Sequence, residues 1–182
     1  MGIRAIDVGT SWAASVSRLG LGLSASHAGP RPEQPIELYE FEGCLFCRKA
    51  REAVTMLDID AKILPCPKGG PQYRVEVKRR GGRAMFPYLV DPNTQTEMYE
   101  SSAIIQYLYE RYGNRSAPMW LSSDVTILLG SLATVLRLGG GTRYRPAKSP
   151  AEPLELYGFE ASPYVRLVRE TLCELELPYL LR

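Results

Sequence analysis

The chain has 182 residues, 45% of them hydrophobic, with 22 basic and 20 acidic side chains and a formal net charge of +2. That near-balance argues against nucleic acid or an acidic membrane as partner. Four cysteines are too few for a disulfide-rich secreted scaffold, and Met1–Arg31 lacks a continuous apolar h-region with a cleavage site.

Residues 1–34 read as a leader. The stretch is rich in Ser, Gly and Ala, carries Arg4, Arg18 and Arg31, and has one acid before Glu33, Asp7. This acid-poor composition fits an organelle transit peptide and equally an irregular leader. Pro30-Arg31-Pro32 breaks the chain before the first strand. Ile36–Phe41 then alternates apolar and polar residues, as a half-buried strand does. Beyond it, Phe46, Ala50, Val54 and Leu57 recur at helical spacing, while Arg48, Lys49, Arg51 and Glu52 occupy other faces.

Between strand and helix lies Cys44-Leu45-Phe46-Cys47. A cysteine at a helix N-terminus meets free amides and the positive end of the dipole, which favour the thiolate. Cys47, one turn on, is close enough to close a disulfide with it. The layout is that of a thiol–disulfide redox site. Two other readings stand beside it. A zinc site needs two further ligands, from Cys66, Cys173 and His27, the last in a loose N-terminal region; two buried structural cysteines would need nothing more.

Asp60–Leu64 reads as a short strand stopped by Pro65-Cys66-Pro67. Tyr73–Arg80 reads as a helix with a basic last turn, ending at a Gly81-Gly82 C-cap. The basic turn is either a solvated helix end or a rim that attracts an anionic thiol compound. Phe86–Asp91 is a strand opened by Pro87, where a missing N–H is tolerated. Asp91-Pro92-Asn93 turns it into Thr96–Tyr99, and Glu100-Ser101-Ser102 opens a helix with Ala103, Ile104, Tyr107 and Leu108 on its apolar face. It stops at Gly113.

The order βαβαββα, with Cys44-Leu45-Phe46-Cys47, Phe86-Pro87-Tyr88 and Glu100-Ser101-Ser102-Ala103-Ile104 at matching places, resembles the thioredoxin fold. More closely, residues 35–113 resemble the N-terminal domain of glutathione transferases, relatives of the glutaredoxins. The resemblance implies a cis Phe86–Pro87 bond that turns the Phe86 backbone toward Cys44. It also implies that this backbone pairs with glutathione like an added strand, while Glu100 and Ser101 receive the γ-glutamyl carboxylate at a helix N-terminus. Ser101 as a plain N-cap is the structural alternative.

Residues 114–150 read as a linker. Asp124–Leu138 is apolar enough for a buried helix and too short for a membrane span, with a membrane-surface helix as the alternative, and Gly139-Gly140-Gly141 with the run Tyr144–Pro153 forms a flexible join. Pro153-Leu154-Glu155-Leu156-Tyr157-Gly158-Phe159-Glu160 then repeats Pro35–Glu42 at a shift of 118. The same shift pairs Arg48 with Arg166, Arg51 with Arg169, Glu52 with Glu170 and Leu57 with Leu175. Cys44 becomes Ser162 and Cys47 becomes Val165, so this copy lacks both thiols. Ser162-Pro163 is helix-start chemistry, with a serine hydroxyl facing a bound thiolate as the sharper alternative. Cys173 falls mid-helix, as a small buried hydrophobe does.

Residues 151–182 are thus a partial second thioredoxin-like repeat, expected either docked on the first unit or poorly ordered, since so short a piece rarely folds alone. The whole resembles a plant and cyanobacterial family with two tandem glutathione-transferase-type N-terminal domains, which implies a plastid location, with the cytoplasm as the alternative. The function implied is glutathione-linked disulfide exchange through Cys44 and Cys47. Glutathione is then the co-substrate, and protein or small-molecule disulfides are the partners. Glutathione transfer to an electrophile, a non-catalytic glutathione- or protein-binding module, and an iron–sulfur role are the competing readings. The last favours a single active cysteine.

Overall fold

The computed structural model describes residues 5–16, 25, 27–122 and 139–182. Its elements in chain order are α1 (Ala5–Val16), β1 (Ile36–Glu40), α2 (Leu45–Leu57), β2 (Ala61–Pro65), α3 (Tyr73–Gly81), β3 (Tyr88–Asp91), β4 (Thr96–Tyr99), α4 (Ser101–Tyr112), α5 (Met119–Ser122), β5 (Leu154–Leu156), α6 (Pro163–Glu174) and β6 (Tyr179–Leu181). The fold is α/β and thioredoxin-like. β1 pairs parallel with β2 and antiparallel with β3, and β3 pairs antiparallel with β4.

Strand alternation sends successive side chains to opposite faces of this sheet. Ile36 and Leu38 join Ala61, Ile63 and Leu89 under α2 and α4, which contribute Ala50, Val54, Leu57, Ile104 and Leu108. Tyr39, Leu64, Tyr88 and Val90 face the other way, against Val77 of α3. Each fully buried Leu or Ile contributes ~1.5–3 kcal/mol over its exposed state. Gly82, at φ 80°, closes α3 in the left-handed conformation that Gly81-Gly82 suggests. The basic turn before it is engaged by carboxylates: Arg79 and Arg80 each bond Glu76 at 2.7 Å.

The C-terminal segment is docked. β6 pairs antiparallel with β2, β5 pairs parallel with β6, and the sheet runs β4-β3-β1-β2-β6-β5. The 118-residue shift carries β1–α2–β2 onto β5–α6–β6. Ile36↔Ala61 in the first unit corresponds to Leu154↔Tyr179 in the second. Between the units the register is Ala61↔Leu181, Lys62↔Leu180 and Ile63↔Tyr179, which is symmetric about Lys62 and its counterpart Leu180. A local twofold therefore relates the two strand–helix–strand units.

The charged faces of α2 and α6 meet across that axis instead of facing water. Arg51 binds Glu160 at 2.8 Å and Glu42 at 3.1 Å, and also Glu40; Arg169 binds Glu42 at 3.1 Å and Glu160 at 3.2 Å. Arg51 and Glu42 become Arg169 and Glu160 under the same shift, so the ring repeats itself about the axis. Arg48 adds a bond to Glu160 at 3.2 Å, whereas its counterpart Arg166 leaves Nε and Nη1 buried with no partner among the described residues.

Other departures from the sequence reading come from packing. Residues 5–16 of the leader form a helix against α6, with Ser11 Oγ donating to the Pro163 carbonyl at 2.7 Å. His27 is anchored, not loose: its N–H bonds the Met56 carbonyl at 3.0 Å and its ring the Tyr109 hydroxyl at 2.9 Å. Phe46, which fits the helical apolar pattern, stands exposed instead. Asp124–Leu138 lies outside the described residues. Among the described residues, no helix is long and apolar enough to cross a membrane.

Candidate functional site

Strand register brings the singled-out residues to one end of the sheet. β1 ends at Glu40 just before Cys44, Tyr39 pairs with Tyr88 at the start of β3, and Tyr88 pairs with Tyr99 at the end of β4. Phe86-Pro87 and Glu100-Ser101 therefore flank the same end as the mouth of α2.

Cys44 is the N-cap of α2, in extended conformation, and its Sγ accepts the Cys47 N–H at 3.2 Å. The sulfur also lies 4.0 Å from the Phe86 carbonyl oxygen. The Phe86–Pro87 peptide is cis. The Cys47 thiol and then the Cys47 and Phe46 amides hold the Cys44 pKa below its ordinary value, while burial and the Glu40 carboxylate oppose them. Cys47 is driven well above its ordinary value, first by burial and then by its hydrogen bond to Cys44. The two sulfurs thus differ sharply: Cys44 is 8% exposed and disposed to ionise, Cys47 is fully buried and held protonated. Both are free thiols.

Ser101 is buried at the first position of α4, and Glu100 takes the cap at φ 69° without a side-chain cap bond. The N-cap reading of Ser101 is therefore replaced by one residue's shift. A non-glycine residue held in this backbone region costs ~1–3 kcal/mol, and such strain concentrates at binding and catalytic sites. The first amides of α4 and the Ser101 hydroxyl form a polar helix mouth suited to a carboxylate.

The sequence reading missed three groups around the sulfur. Glu40, on the strand leading to Cys44, is buried; burial above all, with Glu42 and Glu160 adding to it, raises its pKa to about 7 against the pull of Arg51 and Arg169. Arg74 lies over the Phe86 ring at 4.7 Å and the Phe41 ring at 5.5 Å, and its Nε donates to the Pro67 carbonyl at 2.9 Å. Thr142, between the two stretches read as a flexible join, lies against Gly43: a Cβ added to Gly43 would meet its Oγ1 at 2.5 Å. That segment is fixed by the Lys68 N–H to Thr142 carbonyl bond at 2.6 Å and the Tyr144 N–H to Lys68 carbonyl bond at 3.1 Å. Period-two alternation puts Glu40 on the same face as Ile36 and Leu38, a readable signal for a buried acid; nothing local marked Arg74 or Thr142.

The remaining cysteines stay apart from this chemistry. Cys66 is fully buried with a raised pKa, chiefly from burial. Cys173 is buried, its sulfur accepting the Glu42 N–H at 3.5 Å. Ser162 is the N-cap of α6, accepting the Val165 N–H at 3.3 Å. No group of three His, Cys, Asp or Glu suited to a metal ion occurs among the described residues.

Residues 38–116 match the family described as glutathione S-transferase, N-terminal domain. Among solved structures, the chain is similar to a glutathione transferase of Bombyx mori, at 25% identity and a TM-score of 0.42 over 47% of this chain and 39% of that one. It is also similar to a delta-class glutathione transferase of Nilaparvata lugens, at 28% identity and a TM-score of 0.36 over 44% and 38% of the two chains. The chain thus spans about two fifths of the length of these transferases. No curated protein matches it.

Proposed function

We propose that the protein is a glutathione-linked thiol–disulfide oxidoreductase with Cys44 as the attacking sulfur. The observation that carries this reading is the Cys44 thiol at the mouth of α2, held by the Cys47 N–H and set beside the Phe86 carbonyl. A lowered pKa raises the thiolate fraction at neutral pH, and the thiolate is the nucleophile. On a glutathionylated substrate, the Cys44 thiolate attacks the glutathione sulfur. The substrate leaves as its thiolate, and Cys44 keeps a mixed disulfide with glutathione. The thiolate of a second glutathione attacks the glutathione sulfur of that adduct, releasing oxidised glutathione and regenerating Cys44. The burial and raised pKa of Cys47 favour this route over closure of a Cys44–Cys47 disulfide.

In this reading Phe86 and Pro87 present backbone to the glutathione peptide, and Glu100 and Ser101 receive its γ-glutamyl end. Residues 154–182 are read as part of a second copy of the same module, without the thiols of Cys44 and Cys47, on the strength of the 118-residue shift shared by sequence and strand register. The test is intact-mass analysis after exposure to oxidised glutathione. One adduct per chain is expected, absent in Cys44→Ser and retained in Cys47→Ser. A wild-type chain that takes no adduct at Cys44 near neutral pH overturns the proposal.

The 8% exposure of Cys44 favours one alternative, a module that holds glutathione without turnover. That reading expects glutathione binding to survive Cys44→Ser and expects no adduct on the wild-type chain.

A further inference from the structure

β5 closes the sheet order on one side, pairing only with β6 among the described residues. Its counterpart β1 is paired on both edges: Glu37, Leu38 and Tyr39 meet Val90, Leu89 and Tyr88 of β3. The equivalent positions Glu155, Leu156 and Tyr157 meet no such strand among the described residues. Burial records the difference, since Tyr39 is 3% exposed and Tyr157 69%. Phe159, just beyond, is 39% exposed.

The hydrogen bonds to the β6 side identify which groups are free. The Leu156 carbonyl accepts the Arg182 N–H at 2.9 Å, and the Gly158 N–H donates to the Arg182 carbonyl at 3.0 Å. Backbone groups alternate along a strand, so those of Glu155 and Tyr157 point to the open edge. Glu155 and Tyr157 are also side-chain partners: the Tyr157 hydroxyl donates to Glu155 Oε2 at 2.7 Å, and Arg182 pairs with Glu155 at 3.1 Å.

We propose that a second copy of this chain adds to this edge, β5 against β5, antiparallel about a twofold axis through Leu156. In that register Glu155 faces Tyr157 of the second copy, and the two exchange both backbone hydrogen bonds. The two Leu156 residues face each other as a close, non-hydrogen-bonded pair and extend the apolar cluster that Leu156 already joins. Each Tyr157 hydroxyl meets a carboxylate of the other copy, and Arg182 offsets the approach of the two acids. The edge is self-complementary, which makes a second copy a better fit than an unrelated strand. The chain already contains one such joint, since β2 and its counterpart β6 pair antiparallel about Lys62 and Leu180. From Leu154 to Phe159 the edge carries neither lysine nor proline, the residues that usually block edge pairing.

The test is sedimentation of the full chain across about 1–200 µM, the range suited to a small interface. The mean mass is expected to rise from 20.3 kDa toward twice that value. Tyr157→Pro removes an outward N–H and leaves both bonds to the β6 side intact, so it should weaken association about tenfold or more. Hydrogen exchange on the wild-type chain decides the matter even if that variant fails to fold: the Glu155 and Tyr157 amides should slow as concentration rises, while those of β2 should not change. A chain that stays monomeric throughout, or exchange at Glu155 and Tyr157 independent of concentration, overturns the proposal. So does a dimer of unaltered affinity in Tyr157→Pro. None of these results bears on the chemistry of Cys44.

Discussion

The two strand–helix–strand units run on the same plan, and among the described residues the first is extended by a hairpin and a further helix. In each, a side chain with a lone pair caps the helix: Cys44 Sγ accepts the Cys47 N–H at 3.2 Å, and Ser162 Oγ accepts the Val165 N–H at 3.3 Å. In each, an Arg and a Glu separated by the same spacing enter the shared ionic ring. Among the described residues the first unit continues into β3, β4 and α4, and Cys44 lies beside the Phe86 carbonyl. In the proposed function a thiol at a helix mouth is half of a site. The other half in that proposal is the hairpin and helix that bring Phe86, Glu100 and Ser101 to the same end of the sheet.

Cys44→Ser tests that contrast with the largest effect, a loss of glutathione adduct and of any disulfide turnover with little change in stability. Ser162 shows that serine caps this helix type in this chain. Circular dichroism melts alongside the adduct assay would separate lost chemistry from lost fold; a large drop in melting temperature would undo the comparison between the caps.

The ionic ring comes next. Arg51 is fully buried among Glu40, Glu42 and Glu160, so Arg51→Met strands carboxylates and should cost ~3–5 kcal/mol in denaturant unfolding. Its neighbour Arg166 is buried with two unpartnered nitrogens, and burial, then Arg48, pulls its pKa down to about 9. Arg166→Met should therefore change stability by less than ~1 kcal/mol or increase it. Equal losses for the two variants would show that the missing partners of Arg166 have no energetic meaning.

Glu40 gives a smaller, pH-dependent effect. Its folded pKa is raised to about 7 from 4.5, so between those values the folded chain holds a proton that the unfolded chain has released. Stability from this group is full below pH 4.5 and declines as pH rises through about 7. The expected loss is ~3 kcal/mol. Glu40→Gln should flatten that slope in urea unfolding from about pH 4.5 to 7.5; an unchanged slope would assign it to other groups.

Much of this arrangement was legible from residue pattern. Alternation in Ile36–Phe41, the Pro87 strand start and Gly82 at the end of α3 carry local physics that tertiary packing leaves in place. The 118-residue shift also announced a second unit. What it could not announce is where α2's charges go. Helical spacing assigns Arg48, Arg51 and Glu52 to faces away from the apolar stripe, and by default those faces meet water. Here Arg48 and Arg51 meet Glu160 of the second unit, so both are buried in ion pairs. The clue was present in the repeated arginines and in Glu42 recurring as Glu160, since a charge pattern kept in both units can satisfy itself across an axis. Phe46 misled for the converse reason: its spacing is apolar, but in the first turn it lies beside the helix mouth and not over the sheet.

The smallest effect concerns Ser162. Ser162→Ala removes a cap and should cost ~1 kcal/mol by chemical denaturation. Ser162→Cys is the sharper variant, because it places a thiol at the mouth of α6 in the geometry that Cys44 has at α2. If the hairpin and α4 supply the other half of the site, the new cysteine should keep the cap and take no glutathione in the Cys44→Ser background. Helix amides alone would still lower its pKa, so alkylation by iodoacetamide should proceed. Alkylation without glutathionylation would separate the two contributions, an ionised sulfur from a surface that holds the tripeptide. Efficient glutathionylation at position 162 would mean that the helix mouth suffices and that Phe86, Glu100 and Ser101 are bystanders.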